Sequence, residues 1–146
     1  MAITNNVMKS VLDAIFGRTS PPSPPANLYV ALSTTKPDPD GTGFTEPEGG
    51  GYARVQIAND LSSIDPATVD EDDIAIKTLP GPIEFPMATG NWGEIKYWGV
   101  FDAESGGNLL DYARLIDPID VVEDDQVIIP DDEIEIHLLT PDQFAE

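Results

Sequence analysis

One stretch of the chain, residues 91–110, holds much of the bulky apolar material from which a core can be built. Its sequence is NWGEIKYWGVFDAESGGNLL. It contains both tryptophans and two further aromatic residues: Trp92, Tyr97, Trp98 and Phe101. A serine and two glycines follow the aromatic segment, and glycine adopts a positive φ at little steric cost. The stretch therefore predicts a β-hairpin with strands over 93–101 and 109–116 and a turn over 102–108.

Strict alternation divides the first strand of this hairpin into two faces. One face would carry Ile95, Tyr97, Gly99 and Phe101, and the other Glu94, Lys96, Trp98 and Val100. The second face changes from charged to apolar along the strand. This change predicts a strand that begins at a wet rim and ends buried or covered by a neighbouring subunit. We therefore interpret the four aromatic residues as anchors of the core or of an interface, and packing within the domain is the simpler alternative for each.

The length and composition of the chain limit its organisation. With 146 residues, 40% of them hydrophobic, it can form one domain with a modest core. It has no cysteine, which excludes disulfides, thiolate metal sites and cysteine nucleophiles and leaves its redox compartment open. No apolar run approaches the roughly 20 residues that span a bilayer, and the first residues lack a secretory signal pattern. We expect a soluble protein with no membrane partner that does not use the general secretory route.

The charge of the chain is strongly one-sided, because 27 Asp and Glu stand against 7 Lys and Arg, a formal net charge of −20. Such a surface repels a phosphate backbone and offers no basic stripe, so nucleic acid is excluded as a direct partner. In dilute buffer the carboxylates repel one another, whereas at molar salt the Debye length falls to about 3 Å. The excess favours adaptation to high salt, and an ordinary acidic protein is the alternative.

The beginning of the chain predicts an amphipathic helix that runs from Thr4, as its N-cap, to about Phe16, with Gly17 as the stop signal. Its apolar residues recur at three and four positions: Val7, Met8, Val11, Leu12, Ile15 and Phe16. The stripe is wide for so short a helix, so we expect it to pack against the domain or against another chain. The residues expected to fasten this helical arm are Val7, Val11, Leu12 and Phe16.

The rest of the sequence predicts short strands joined by polar loops. The candidate strands lie at 27–34, 52–58, 74–79, 83–85, 117–122, 126–129 and 133–139. Their inward positions would be Leu28, Val30, Leu32, Ala53, Val55, Ile57, Ile134, Ile136 and Leu138. Long exposed loops are expected over 36–51 and 60–73. The fold predicted is mainly β, an antiparallel β-sandwich or jelly-roll-like domain with a short N-terminal helix. Its parts would be a helical arm (1–18), a proline-rich spacer (19–26), the sandwich (27–140) and a tail (141–146).

No sequence pattern is typical of an enzyme, a cofactor site or a metal site. His137 alternates outward between two glutamates, which favours a surface histidine. The loop over 38–49 has the clustered oxygens of a calcium loop, but its twelfth position is Gly49 instead of a bidentate glutamate. A solvated loop is therefore the interpretation, with adventitious calcium or sodium as the alternative. The acidic runs 70–73, 123–125 and 131–133 adjoin turn signals, which favours hairpin tips over a glycosidase carboxylate pair. We expect no catalytic residue, cofactor or metal.

Five short motifs are spread over most of the chain. They are LYVALST at 28–34, GGGYAR at 49–54, WG at 92–93, WGVFDA at 98–103 and GGNLL at 106–110. As a set, they resemble a family of small virion proteins of tailed viruses, labelled tail fibre or head decoration proteins. The resemblance covers residues 4–139. It implies a β-rich, non-enzymatic particle component that self-associates as a trimer on the outside of a virion, with no active-site residues.

Together, the resemblance and the charge predict a virion structural protein of a tailed virus from a halophilic host. The leading hypothesis is a capsid decoration or turret protein, made in the host cytoplasm, that forms a homotrimer on the particle surface. Its other partners would be virion proteins such as the major capsid protein or tail proteins. The lack of a long fibrous repeat favours the head. The alternatives are a tail fibre, a receptor- or carbohydrate-binding tip with aromatic residues that stack on sugars, and a hydrolase with paired carboxylates.

Overall fold

Five antiparallel strands form the largest sheet of the protein, and shorter strands cover one of its faces. The computed structural model describes residues 2–17 and 24–138, and the bounds below refer to those ranges. The elements are β1 (Ala2–Ile3), α1 (Asn5–Ile15), β2 (Asn27–Ser33), β3 (Val55–Ala58), β4 (Thr68–Val69), β5 (Ala75–Thr78), β6 (Ile83–Glu84), β7 (Gly93–Phe101), β8 (Leu109–Val121), β9 (Ile128–Ile129) and β10 (Glu135–Leu138). Most of the predicted spacer and the whole predicted tail lie outside the described residues.

The strands are arranged in three antiparallel sheets. The large sheet has the order β1-β8-β7-β2-β3, a three-stranded sheet has the order β10-β5-β4, and β6 pairs with β9. All of the pairings are antiparallel. The prediction of a mainly β, antiparallel sandwich with one short N-terminal helix is confirmed.

The main core lies between the large sheet and the two small ones. Alternating residues of β2 (Leu28, Val30 and Leu32) supply one wall, as predicted, and they meet buried residues of the opposite layer such as Phe85 and Ile134. The alternation of β10 is only partly realised, because Leu138 is 47% exposed although it was predicted to face inward. This strand lies at the edge of its sheet, and Leu138 is its last residue.

The large sheet also carries a small apolar cluster on its second face. Phe101, Leu109 and Tyr112 are buried there, and the ring of Phe44 packs edge-on to Phe101 with 5.0 Å between ring centroids. Gly99 permits this contact, because a Cβ atom at that position would lie 2.5 Å from the Phe44 ring. The loop predicted to be exposed over 36–51 therefore covers part of the sheet, although most of its residues are solvent-exposed.

An irregular pairing between β7 and β8 overturns two predictions. Ile95 pairs with Ile119, whereas Tyr97 pairs with Arg114. One residue of β7 therefore lies opposite four residues of β8, three more than regular pairing allows. The shift buries Ile95 in the main core beside Trp98, whereas alternation predicts that Ile95 and Tyr97 share a face. The predicted strands 109–116 and 117–122 are accordingly one strand, β8, with a bulge over 115–118. A bulge interrupts the period of two, which alternation alone does not anticipate.

Candidate interaction surface

The helix α1 is attached to the sheet at its first turn. Thr4 is fully buried, and its hydroxyl donates a hydrogen bond to the Leu109 carbonyl at 2.7 Å. Its backbone N–H donates to the Leu110 carbonyl at 3.0 Å, and the N–H of Asn5 donates to the Pro39 carbonyl at 2.9 Å. Thr4 is the N-cap residue by position, but the prediction that its side chain caps the helix is wrong. The hydroxyl holds α1 to β8 instead.

Beyond this attachment, α1 lies loosely against its own domain. No residue of the helix is buried. Val7 and Val11 are half-buried and line an open cleft of about 540 Å³, whose opposite wall includes Pro25 and Leu110. The helix ends at Ile15, and Gly17, with a φ of +80°, follows it as predicted. The inner side of α1 therefore contacts the domain without closing a core.

The outer side of α1 is apolar and exposed to solvent. Its exposed apolar residues are Met8 (43%), Leu12 (58%), Ile15 (68%) and Phe16 (69%). Of the four residues predicted to fasten the arm, Val7 and Val11 are half-buried, whereas Leu12 and Phe16 are exposed. We call Met8, Leu12, Ile15 and Phe16 the outer face of α1. Contiguous exposed apolar side chains of this kind mark interaction sites on soluble proteins.

The aromatic residues of the hairpin have a different environment. Trp92 and Trp98 are 4% and 5% exposed in the main core, and Phe101 is buried in the second cluster. Tyr97 is half-buried beside Phe101. The Trp92 ring donates a hydrogen bond from Nε1 to the Gly50 carbonyl at 2.7 Å. The structure thus places three of the four predicted anchors within the cores of a single chain.

A second exposed apolar surface surrounds the bulge of β8. Ile116 at its tip is 88% exposed, and Ile119 and Ile128 are 40% and 48% exposed. These residues line a groove of about 510 Å³ whose floor includes Trp98. The sequence did not indicate this surface, because isoleucines in a predicted strand are expected to face a core.

Arg54 organises a polar cluster that sequence reasoning missed. Its guanidinium donates to both carboxylate oxygens of Glu46 at 2.8 and 2.9 Å and to the carbonyls of Ala103 and Gly106 at 2.7 and 2.9 Å. It also lies 3.8 Å from the centroid of the Phe101 ring. Burial by itself raises the pKa of Glu46, but the hydrogen bonds from Arg54 and Tyr52 hold that pKa below its usual value. The cluster ties the turn of the β7–β8 hairpin to the loop before β3.

Asp111 on β8 is a buried carboxylic acid. It is 1% exposed, and neither of its carboxylate oxygens has a hydrogen-bond partner among the described residues. Burial raises the pKa of Asp111 to about 7, and nearby positive charge only partly offsets this effect. The side chain is therefore largely protonated in mildly acidic solution.

We expect stability to depend on pH through Asp111. The folded pKa of about 7 lies above the ordinary value of 3.8, so the native state binds the proton more tightly. The stabilisation is complete below about pH 4 and is lost as the pH rises through 7, roughly 2–3 kcal/mol between pH 5 and pH 8. Asp111→Asn should remove this dependence. Urea unfolding of both proteins at these two pH values in molar salt measures it, and parallel losses in the two proteins would contradict the expectation.

The candidate metal site does not assemble within residues 2–17 and 24–138. No group of three or more His, Asp or Glu side chains there could hold a metal ion. His137 is partly exposed, and its Nε2 lies 2.8 Å from Oε2 of Glu135. In the loop predicted to resemble a calcium loop, the carboxylate of Asp40 accepts hydrogen bonds from the backbone N–H and the hydroxyl of Thr42. Residues with positive φ lie in all three acidic runs (Asp73, Asp124 and Asp132), which fits tight turns. None of the described helices is long and apolar enough to cross a membrane.

These features define a class, a small β-sandwich protein that presents apolar surface from an attached helix and from a sheet bulge. Comparison with known proteins identifies the family. The family model described as Podophage GP4 fiber I protein gp80 matches residues 2–137, nearly the whole chain. The chain belongs to this family. No curated protein matches it.

Family membership confirms the predicted resemblance to structural proteins of tailed viruses. The protein is a virion structural protein of the fibre type, and its place is on the exterior of the particle in association with other virion components. The halophilic host, the trimer and the position on the head remain predictions.

Proposed function

We propose that the protein is a building block of a podophage tail fibre that self-associates as a homotrimer and contacts neighbouring tail proteins. The observation that carries this proposal is the fibre family match over residues 2–137. The match favours the tail over the capsid decoration or turret that the sequence analysis preferred. That preference rested on the lack of a fibrous repeat, and a fibre built from several proteins does not need shaft sequence in each chain.

The physical argument for self-association comes from the exposed apolar side chains. The single chain leaves the outer face of α1 and the bulge of β8 in water. Burying such side chains contributes roughly 25 cal/mol per Å² of apolar surface, so association of copies is favourable wherever these surfaces meet. A fibre also repeats one contact along or around an axis, which suits identical surfaces.

The carbohydrate-binding alternative loses its main support. It required exposed aromatic rings that stack on sugars, and both tryptophans lie in the main core. Of the tyrosines in the hairpin region, Tyr97 is half-buried and Tyr112 is buried. The hydrolase alternative rests on acidic runs in which Asp73, Asp124 and Asp132 have a positive φ, as residues of tight turns do.

Immunogold electron microscopy of purified virus particles tests the proposed location. An antibody raised against the recombinant protein should label the tail region. Labelling distributed over the capsid surface would overturn the tail proposal in favour of head decoration. Particles incubated with antibody that has been preabsorbed on the recombinant protein serve as the control for specific labelling.

We also propose that the protein works at high salt, which is supported by its net charge of −20. Mutual repulsion of carboxylates opposes folding in dilute buffer and is screened at molar salt. The melting temperature should therefore rise steeply between about 0.05 and 2 M KCl. A matched titration with sucrose, which does not screen charge, separates screening from general cosolvent stabilisation. A melting temperature that is independent of KCl would overturn the halophilic proposal.

A further inference from the structure

The outer face of α1 has the residue spacing of a coiled-coil seam. Asn5, Met8, Leu12 and Ile15 follow one another at intervals of three, four and three residues. This is the a-d-a-d spacing with which helices pack knobs into holes along a common axis. The three apolar members are 43–68% exposed, so the seam is complete and uncovered in a single chain.

The residue types at these positions favour more than two helices. Leucine at an a position with isoleucine at d shifts parallel coiled coils from dimers towards trimers and tetramers, and Leu12 and Ile15 occupy these two positions. A single asparagine at an a position specifies register, and Asn5 stands at the first a position. Phe16, 69% exposed directly after the helix, extends the apolar stripe at its C-terminal end.

Charge makes this end of the molecule the place where copies can approach each other. Asp13 is the only acidic residue before Asp38, so the other 26 of the 27 acidic residues lie in the remainder of the chain. Within α1, Lys9 balances Asp13. Contacts between the acidic faces of the sandwich would bring like charges within the Debye length of about 3 Å that holds at molar salt, whereas three copies of α1 meet without net repulsion.

The attachment of the helix supports a defined geometry. The hydrogen bonds of Thr4 and Asn5 to β8 and to the loop before β3 hold the start of α1 against the sandwich. The helix has 11 residues, about 16 Å, and isolated helices of this length are marginal in water. Its fixed start and its partners in other copies would supply the stability that its own sequence lacks.

We propose that Met8, Leu12 and Ile15 of three copies form a parallel three-helix seam at the centre of a trimer, with the sandwiches arranged around it. This inference rests on the self-association in the proposed function and names the surface and the partner, the same helix of two further copies.

Cysteine cross-linking of the full chain tests the parallel seam directly, because the protein has no cysteine of its own. Ile15→Cys places identical thiols next to each other in a parallel seam. Asp13→Cys is the control, an exposed position two residues away on the same helix but outside the seam. Mild oxidation at molar salt should convert most of the Ile15→Cys protein, and little of the Asp13→Cys protein, to a covalent dimer. Equal cross-linking of the two variants, or none of Ile15→Cys, would overturn the parallel seam.

Native mass by light scattering at molar salt supplies the second test. The wild type should have about three times the 15.7 kDa mass of the chain. Leu12→Glu should reduce it to the monomer mass while the β-sheet signal of the far-UV circular dichroism spectrum is retained, since the side chain is exposed in the single chain. Ile116→Glu is the matched control at an 88% exposed isoleucine and should stay trimeric.

The outcomes separate the inference from the proposed function. A trimer that persists in Leu12→Glu, or one that is lost only in Ile116→Glu, overturns the α1 seam and leaves self-association standing. A wild type that is monomeric at every salt and protein concentration overturns self-association and the seam together. The fibre location is decided by the immunogold experiment in either case.

Discussion

Replacing Trp98 with alanine is expected to lower the free energy of unfolding by about 3–5 kcal/mol, the usual cost of truncating a large aromatic residue in a core. Trp98 lies on β7 and is 5% exposed. It pairs with Leu32 of β2 on one side and with Ala113 of β8 on the other. The ring also forms part of the floor of the groove beside the β8 bulge, so its removal joins that groove to the core. Urea unfolding at molar salt, monitored by circular dichroism, measures the loss.

His137→Ala is the matched comparison for this measurement. His137 lies on β10, partly exposed, and its one described ion pair is with Glu135. Exposed pairs contribute about 0–1 kcal/mol, so the variant should unfold close to the wild type. Equal losses in the two variants would contradict the view that the β7–β8 hairpin is the stability centre of the fold.

Arg54→Ala should lower the free energy of unfolding by about 3 kcal/mol, at the lower end for breaking a buried ion pair because Glu46 retains some contact with water. The Arg54 side chain is 5% exposed and that of Glu46 is 27% exposed. The substitution leaves the Glu46 carboxylate without its charged partner and frees the carbonyls of Ala103 and Gly106. Differential scanning calorimetry at molar salt gives the change in melting temperature and unfolding enthalpy.

Lys96→Ala is the control for Arg54→Ala. On β7, Nζ of Lys96 lies 3.5 Å from Oε1 of Glu94, and the two side chains are 48% and 57% exposed. Such a pair contributes at most about 1 kcal/mol, and less at high salt. If Lys96→Ala were as destabilising as Arg54→Ala, the Arg54 cluster would have no special role in holding the hairpin turn.

Both predicted losses bear on assembly as well as on folding. The second apolar cluster, which Arg54 covers at Phe101, includes Leu109, whose carbonyl accepts the Thr4 hydroxyl. The start of α1 is therefore attached to a part of β8 that the hairpin and its polar cluster hold in place. We expect variants that loosen the hairpin to weaken trimer formation through this attachment.

Much of the architecture could be predicted from the sequence, because local patterns are reliable where elements are regular. Alternation over Leu28, Val30 and Leu32 identified the wall of the main core, since a regular strand presents every second residue to one side. The glycines of the 102–108 turn, with φ of +62° at Gly106 and +73° at Gly107, marked the hairpin because few other residues adopt such values. The apolar spacing of α1 identified a helix with a surface to bury.

Tertiary structure alone decided the points that depend on contacts between distant residues. The extra residues of β8 turn Ile95 into the core and expose Ile116, because register between two strands is a property of the pair. Arg54 donates to the Ala103 carbonyl about 50 positions away, and Thr4 donates to the Leu109 carbonyl 105 positions away, so local sequence does not indicate either contact. The helical periodicity determined that α1 has an apolar face. Only the packing showed that this chain leaves it uncovered, because no periodic pattern records whether the partner surface belongs to the same chain or to another.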